Sequence, residues 1–223
     1  EGYTGDVEWD LDKLTIANLD IECLIHDPDG DGGNPIDKPW EAVNRITAIT
    51  VETKDRYIVF GSKEYTGDKL PLNAKHIYCE TEFDLLFNFI KFWKRLEADI
   101  ITGWNINYFD IPYLIERIRK IVGNEYVNWM GPVAMKYTKR VISIREYGDQ
   151  CEYKIHGVSC MDYLEMYKKF TYKMRERYSL DFIAYCELGE RKLDYSEYGN
   201  LDALYEQDYN KYIDYNIRDV EIV

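Results

Sequence analysis

The alternation of apolar and polar residues over positions 15–24 (TIANLDIECL) constrains the fold of this chain more than any other feature. In a β-strand, side chains alternate between the two faces, so Leu19 and Ile21 point one way and Asp20 and Glu22 the other. Burial of the apolar face fixes the register, because a one-residue slip would bury both carboxylates. A divalent cation stabilises two adjacent carboxylates, although a solvated acidic face on an edge strand is the simpler interpretation of this triplet alone.

The length and composition indicate a folded globular protein. The chain has 223 residues, of which 46% are hydrophobic and 15% aromatic, enough for a substantial core. No apolar run approaches the roughly 20 residues that span a bilayer, and the acidic start differs from the basic start of a signal peptide. Five cysteines without a C-x-x-C pair indicate neither a disulfide framework nor a zinc site. We therefore expect a protein of the cytoplasm, which is a reducing compartment, with no membrane association.

The net charge of −13 is unevenly distributed along the sequence. Residues 1–55 hold 14 acidic and 4 basic side chains, whereas residues 131–180 hold 6 acidic and 10 basic ones, and residues 168–177 are locally basic. The middle of the chain can therefore contact a polyanion while the acidic part holds cations. Charge runs are more often only solvated surfaces, so this split is suggestive.

The first half of the sequence predicts a sheet that begins with three antiparallel strands. Residues 45–52 (RITAITVE) and 56–61 (RYIVFG) are β-branched and aromatic runs separated by a short turn, which favours a hairpin. A fourth short strand is predicted at residues 76–79, and Thr81 with Asp84 forms a capping box that starts a helix. The apolar stripe expected to face the core along this helix is Phe83, Leu86, Phe87, Ile90, Trp93 and Leu96.

Between the first strand, at residues 15–24, and the strand at residues 45–52, the sequence contains a loop that resembles a calcium-binding EF-hand. Asp27, Asp29 and Asp31 match the opening of such a loop, but its twelfth position is Lys38 instead of a bidentate glutamate. No helix is predicted before it. We interpret the segment as a polar insertion.

The next segments predict α/β units. Residues 99–104 (DIITGW) are short and apolar, as in a strand covered on both faces, and residues 111–123 form a helical pattern. Ligands of α/β proteins collect beyond the carboxyl ends of the strands, and this junction carries Asn105, Phe109 and Asp110. Asp110 by itself is most simply a helix cap.

The second half predicts a hairpin and further helices. Residues 139–156 form a protruding β-hairpin insertion with its turn near Gly148, and residues 161–170 and 179–189 predict helices. Residues 1–14 are expected to be an N-terminal linker or arm.

The last segment, residues 208–223, predicts a helix that brings Tyr215 and Asp219 to one face, four positions apart. A Tyr and an Asp at this spacing are, on their own, most often surface residues. The sequence stops in the middle of the pattern, so we expect a fragment of a longer protein. The apolar stripe of this helix consists of Tyr209, Tyr212, Ile213, Ile217 and Val220.

Three acidic motifs therefore occur in order: Asp20-Ile21-Glu22, Asn105 to Asp110 (NINYFD), and Tyr215 to Asp219 (YNIRD). Together they resemble the three motifs of the 3′-5′ exonuclease domain of family B DNA polymerases. The resemblance is closest to the replicative polymerases of T-even-type tailed bacteriophages, in the subgroup with tyrosine before the last aspartate. It spans nearly the whole chain, including the TGWN and SLDFI stretches.

The resemblance implies a single α/β exonuclease domain over residues 1–223, with a ribonuclease H-like fold and a mixed sheet. It also implies hydrolysis of the terminal phosphodiester of single-stranded DNA, with release of nucleoside monophosphates, as the proofreading part of a polymerase. Hydrolysis of an anion by water requires a local supply of hydroxide and neutralisation of charge on phosphorus, which two divalent ions about 4 Å apart can provide.

The expected cofactors are therefore two divalent cations, Mg²⁺ or Mn²⁺, which prefer oxygen ligands. By resemblance, Asp20 bridges both ions and Asp219 binds the ion that holds the attacking water, which Tyr215 orients. The expected metal ligands are Asp20, Glu22, Asp110 and Asp219, and these four with Tyr215 are the expected catalytic residues.

The resemblance also assigns substrate contacts. Asn105 and Phe109 match positions that meet the 3′-terminal nucleotide, and Lys192 matches a lysine that contacts phosphate. Phe109 in the core and Lys192 as a solvated surface residue are the simpler alternatives. The hairpin around Gly148 resembles the element that helps to separate primer from template.

Partners are expected to be a single-stranded DNA 3′ end and the polymerase domains of a parent chain, in the host-cell cytoplasm if the protein is phage-encoded. The sequence has no palm, fingers or thumb motifs, so this chain alone is not expected to polymerise, and no feature indicates an oligomeric state. The competing hypothesis is a catalytically silent module that binds DNA or a polymerase on a nuclease fold. The complete set of four carboxylates favours the nuclease.

Overall fold

The computed structural model describes residues 10–26, 38–54, 56–132, 137–144 and 148–223. Within these ranges the chain forms a mixed α/β fold of eight strands and seven α-helices, none of them long and apolar enough to cross a membrane. The strands are β1 (Ile16–Cys23), β2 (Ile46–Thr53), β3 (Arg56–Gly61), β4 (Ala74–Tyr78), β5 (Ile100–Gly103), β6 (Tyr137–Ile144), β7 (Gly148–Ile155) and β8 (Ser159–Asp162). The helices are α1 (Glu82–Leu96), α2 (Asp110–Ile121), α3 (Asn124–Val127), α4 (Tyr163–Phe170), α5 (Leu180–Leu188), α6 (Leu201–Gln207) and α7 (Tyr209–Glu221).

A six-stranded mixed sheet with the order β4-β3-β2-β1-β5-β8 forms the centre of the fold. Strands β1, β2 and β3 are antiparallel neighbours, whereas β4 is parallel to β3, and β5 and β8 continue the sheet parallel to β1. The prediction of three antiparallel strands followed by α/β units is therefore confirmed. Strand β1 lies inside the sheet, so the alternative of an exposed edge strand is wrong.

Both faces of β1 are covered. On one face, Ala17, Leu19 and Ile21 belong to the main hydrophobic core, which also contains the buried side chains of α1 and α2. The other face packs against α7, whose buried Tyr212, Ile213 and Ile217 form a second apolar cluster with β2 and β3. The predicted alternation holds, and the polar side chains of β1 face α7.

Helix α1 begins as predicted, and most of its expected stripe faces the core: Leu86, Ile90 and Trp93 are buried, and Phe87 and Leu96 pack against the core. The Thr81 side chain accepts the backbone N–H of Asp84, and the Asp84 carboxylate accepts the N–H of Thr81, which confirms the capping box. Phe83 was expected in the core but is 46% exposed, stacked on a neighbouring phenylalanine. Leu85 and Phe89 are fully buried. The buried face therefore also includes Leu85 and Phe89, and Phe83 in the first turn lies outside it.

The predicted helix over residues 161–170 begins two residues later than expected. Residues 161 and 162 complete β8, which pairs with β5 at the edge of the sheet. The Asp162 carboxylate then accepts the backbone N–H of Leu164 and caps α4. A strand of four residues is too short to show a periodic pattern, and this is why the sequence did not predict it.

The predicted hairpin is confirmed as the antiparallel pair β6 and β7. Its inner side belongs to the main core through Tyr153 and other residues of β7. The buried Glu116 of α2 accepts a hydrogen bond of 2.5 Å from Tyr153 Oη and contacts Arg119 and Lys139. Burial raises the pKa of Glu116, but these contacts outweigh that effect and hold the pKa below its usual value. The hairpin is therefore fastened to α2 by a paired, buried carboxylate.

Three predictions lie outside the described residues. They are the EF-hand-like motif at Asp27 to Asp31, the part of the predicted hairpin turn before Gly148, and residues 1–9 of the expected N-terminal arm; Gly148 itself is the first residue of β7.

We expect Glu116→Ala to lower the free energy of unfolding by about 2–3 kcal/mol, because it removes a charged acceptor from a buried hydroxyl and two cations. Chemical denaturation monitored by circular dichroism measures this change. Glu125→Ala, at an exposed glutamate on α3, is the matched control and should cost less than about 0.5 kcal/mol. Equal losses in the two variants would contradict the structural role of Glu116.

Candidate metal centre

Three carboxylates from β1 and α7 converge between the sheet and the helix. One oxygen each of Asp20, Glu22 and Asp219 lies within 4.8 Å of the other two. Asp20 and Glu22 share a face of β1 because side chains alternate, and α7 crosses that face and brings Asp219 opposite them. Oxygen atoms at these separations can be ligands of one divalent cation.

Burial makes this cluster unfavourable for negative charge. Glu22 and Asp219 are almost fully buried, and Asp20 is partly exposed. Burial, with repulsion from Asp219, raises the pKa of Glu22 to about 8. Burial and then the charges of Glu22 and Asp110 raise the pKa of Asp20 well above its usual range. The site therefore favours a proton or a cation over free carboxylates.

Asp110 lies beside this triad and is not part of it. It is the first residue of α2, and its Oδ1 accepts a hydrogen bond of 3.1 Å from the backbone N–H of Ile21, between Asp20 and Glu22. Burial raises the pKa of Asp110 to about 7, although this backbone bond opposes the shift. The simpler interpretation as a helix cap is therefore incomplete, because the side chain bonds to β1.

Lys192 and Tyr215 complete the wall of the site next to Asp219. Lys192 Nζ lies 2.5 Å from Asp219 Oδ2 and donates a hydrogen bond of 3.0 Å to Tyr215 Oη. The alternatives of a solvated lysine and of a surface Tyr–Asp pair on α7 are therefore wrong. The other carboxylate oxygen, Asp219 Oδ1, is buried and has no hydrogen-bond partner among the described residues. A buried acceptor without a partner is rare in native structures and suits a metal ligand.

Asn216 supports the cluster, and the sequence analysis did not identify it. Its Nδ2 donates a hydrogen bond of 2.6 Å to Asp20 Oδ2, and its Oδ1 accepts one of 2.5 Å from Thr50. Asn216 is fully buried, so this chain of bonds fixes the orientation of Asp20 relative to α7. The sequence could have indicated Asn216 by its position, because it follows Tyr215 directly and lies three residues before Asp219 on the final helix.

Asp162 is a second missed residue, and it holds the segment that carries Asn105. Its buried carboxylate accepts hydrogen bonds of 3.0 Å from the backbone N–H groups of Asn105 and Asn107, in addition to its cap on α4. Asn105 has a φ of 64°, in the left-handed region that asparagine tolerates better than most residues. The loop after β5 is thus shaped by a carboxylate of the neighbouring strand.

Asn105 and Phe109 lie at the carboxyl end of β5, as expected, and both are partly buried. The Phe109 ring stacks on Tyr113 with a centroid distance of 5.7 Å and packs against the main core. The alternative interpretation of Phe109 as a core residue is thus confirmed in part.

Comparison with known proteins decides the family of this chain. The family model described as DNA polymerase family B, exonuclease domain, matches residues 5–183. This chain is a family B polymerase exonuclease domain. The resemblance to this family is therefore confirmed. The six-stranded mixed sheet is consistent with the ribonuclease H-like α/β fold that the family implies.

Relatives of this exonuclease domain include complete polymerases. It is 32% identical to the DNA-directed DNA polymerase of Escherichia phage RB69, over 98% of this chain and 26% of that protein. It is equally identical to the polymerase of Enterobacteria phage T4, over 99% and 26%. The catalytic subunit of Caenorhabditis elegans DNA polymerase delta is 30% identical over 86% of this chain and 18% of that protein. The chain therefore spans about a quarter of the length of its phage relatives.

Without metal, we expect the exonuclease domain to lose stability as the pH rises from about 5 to about 8. Asp110 and Glu22 have pKa values in the folded state that lie above their unfolded-state values, which are near 4. Each group therefore contributes stability that is complete below about pH 4 and is lost as the pH rises through its folded-state pKa. Thermal melts in chelator measure this effect, and excess Mg²⁺ or Mn²⁺ should restore the melting temperature most strongly near pH 8. A melting temperature that rises with pH in chelator would contradict it.

The variant Asp20→Asn tests the same electrostatics. Removal of one negative charge should raise the melting temperature in chelator at pH 8 and reduce the stabilisation by Mn²⁺. Glu80→Gln, at an exposed position before α1, is the matched control and should change neither value.

We expect Asp162→Ala to cost about 2–4 kcal/mol of unfolding free energy, because three backbone N–H groups lose their acceptor. Glu165→Ala is the control, since this exposed carboxylate contacts only side chains of the same loop and should cost less than about 1 kcal/mol. Urea denaturation distinguishes the two, and equal costs would show that the backbone bonds of Asp162 are unimportant.

Proposed function

We propose that this exonuclease domain is a metal-dependent 3′-5′ exodeoxyribonuclease. It hydrolyses the terminal phosphodiester of a single-stranded DNA end and releases nucleoside monophosphates, as the proofreading domain of a longer family B polymerase. The observation that carries this proposal is the convergence of Asp20, Glu22 and Asp219 oxygens within 4.8 Å in a member of this family.

Two divalent cations, Mg²⁺ or Mn²⁺, fit the residues of the site. All the candidate ligands are carboxylate oxygens, which these hard cations prefer, and the site contains no histidine or cysteine among them. Asp20, Glu22, Asp110 and Asp219 would hold the ions, with Asp20 as the expected shared ligand. Asp219 offers Oδ1, because Oδ2 is already bonded to Lys192. When bound, the ions would increase the acidity of water and neutralise charge at phosphorus and the leaving oxygen.

Tyr215 and Lys192 act on the water and the phosphate. The Tyr215 hydroxyl is fixed by Lys192 Nζ and lies beside Asp219, where it orients the attacking water. Burial raises the pKa of Tyr215 above its usual value, so the hydroxyl stays protonated and remains a hydrogen-bond donor. Lys192 contacts Asp219 and is available to the phosphate when a metal neutralises Asp219.

Asn105 and Phe109 hold the terminal nucleotide. They lie at the carboxyl end of β5. Because β5 is parallel to β1, this is also the end of the strands where the acidic cluster lies and where α/β proteins bind ligands. The exposed part of the Phe109 ring can pack against a base regardless of its identity, as a proofreading enzyme requires. Asp162 fixes this loop through the Asn105 backbone, so the nucleotide site is preformed.

The partners in this proposal are a DNA 3′ end and the polymerase domains of the parent chain, in the cytoplasm of a host cell. A chain with a net charge of −13 should bind DNA weakly by itself. The other domains would supply most of the affinity for the primer–template.

The test is stepwise shortening of a 5′-labelled single strand from its 3′ end in Mn²⁺ or Mg²⁺, with release of nucleoside monophosphates. We expect Asp20→Ala and Asp110→Ala each to lower the rate at least about 100-fold, because each removes a carboxylate of the metal centre. Asp68→Ala, at an exposed aspartate, is the matched control and should keep full activity.

The competing silent module predicts DNA binding without metal-dependent cleavage. Failure of the unmodified chain to cleave in either metal, with retained DNA binding, would favour that module. Cleavage that survives in Asp20→Ala would show that the acidic cluster is not the active site.

A further inference from the structure

Residues 168–178 (KKFTYKMRERY), named here the basic segment, form the end of α4 and the connection to α5. Five of their side chains are basic and one is acidic, although the whole chain has a net charge of −13. The cations alternate with large apolar or aromatic side chains. Cations interleaved with aromatic rings are typical of surfaces that bind single-stranded nucleic acid.

The apolar side chains of the basic segment lie in solvent. Phe170 is 68% exposed, Met174 is 89% exposed, and Tyr172 is as exposed as in an extended chain. Neighbouring exposed apolar groups of this size are unusual on a monomer and mark a surface that binds a partner.

Most of the cations contact aromatic rings and not carboxylates: Lys168 lies over the Tyr178 ring, Lys169 over Phe170 and Arg177 over Phe182. Arg175 is bonded to Tyr167 Oη and Glu187, which fixes the backbone of the segment. In the described parts of the chain, no carboxylate oxygen lies within 4.0 Å of the charged group of the other four. These four are Lys168, Lys169, Lys173 and Arg177, and all are exposed.

Both ends of the basic segment are connected to the side of the sheet where the carboxyl ends of β1, β5 and β8 and the metal centre lie. At one end, β8 leads directly into α4, and its last residue, Asp162, holds the Asn105 loop. At the other end, Asp181 in the first turn of α5 accepts the backbone N–H of Lys192 at 3.1 Å, and Lys192 contacts Asp219. A strand whose 3′ end lies in the site can therefore pass over this segment.

We propose that the basic segment binds single-stranded DNA on the 5′ side of the terminal nucleotide, with phosphates on its lysines and bases stacked on Phe170 and Tyr172. This inference rests on the proposed function, because that function supplies the DNA strand. Helix α4 has eight residues and is about 12 Å long. That length corresponds to about three or four nucleotides at the phosphate spacing of a duplex strand. A single nucleotide in the site cannot reach the segment, whereas a 12-mer can.

The decisive measurement is the fluorescence anisotropy of labelled dT12 bound to the 223-residue chain in chelator, where hydrolysis does not occur. We expect Lys168→Ala/Lys173→Ala to weaken binding about 10-fold and to reduce the slope of log affinity against log salt by about 1.4, for two lost phosphate contacts. Lys75→Ala/Arg95→Ala removes the same charge on β4 and α1 and is the matched control. It should change neither value.

The aromatic contribution has its own variant. Phe170→Ala/Tyr172→Ala should weaken dT12 binding several-fold without a change in the salt slope, since stacking releases no counterions. If this variant binds dT12 like the unmodified chain, the exposed rings serve a protein partner and the proposed stacking is wrong.

Hydrolysis of the p-nitrophenyl ester of thymidine monophosphate in Mn²⁺ separates this inference from the proposed function. The lysine variant should hydrolyse this single-nucleotide substrate at the unmodified rate. If the unmodified chain does not hydrolyse it, the proposed function fails, while dT12 binding in chelator still decides the role of the segment. Equal weakening of dT12 binding in the control variant, or none in the lysine variant, would overturn the inference.

Discussion

The contact that joins α7 to the sheet buries the carboxylates of Glu22 and Asp219 and partly covers that of Asp20. At an effective dielectric constant of about 20, two unit charges 4.8 Å apart repel by about 3–4 kcal/mol. Burial of the apolar side chains of α7, among them Ile213, Ile217 and Val220, opposes this repulsion by about 1.5–3 kcal/mol for each side chain. A proton, Lys192 or a metal reduces the repulsion itself.

Two polar residues that are not among the expected metal ligands determine the geometry of the site. Asn216 ties Asp20 to Thr50, and Asp162 holds the backbone of the Asn105 loop. Both are buried, so each bond they make is hard to replace by water. The carboxylates thus lie in a prearranged frame that would need little rearrangement when a cation binds.

Local periodicity was sufficient to predict much of this protein. The alternation in β1 put Asp20 and Glu22 on one face, and the spacing in α7 put Tyr215 and Asp219 on one face, as the structure has them. The packing of these two faces against each other joins residues about 200 positions apart, and no local pattern contains that information. The family resemblance supplied it.

The errors have the same origin. The position of Phe83 depends on where the edge of the core falls, and β8 is too short to show alternation. Asn216 and Asp162 carry no periodic signal either, because a polar side chain looks the same in sequence whether it is solvated or bonded inside the protein.

The separation of β1 and α7 along the chain has a consequence for biosynthesis. A ribosome makes β1 early and α7 about 190 residues later, and at 5–20 residues per second this interval lasts roughly ten seconds or more. During that time the acidic face of β1 has no helix over it and no Asp219 opposite it. A nascent chain can thus carry the strands of the sheet while its acidic cluster still lacks Asp219, which arrives only with α7.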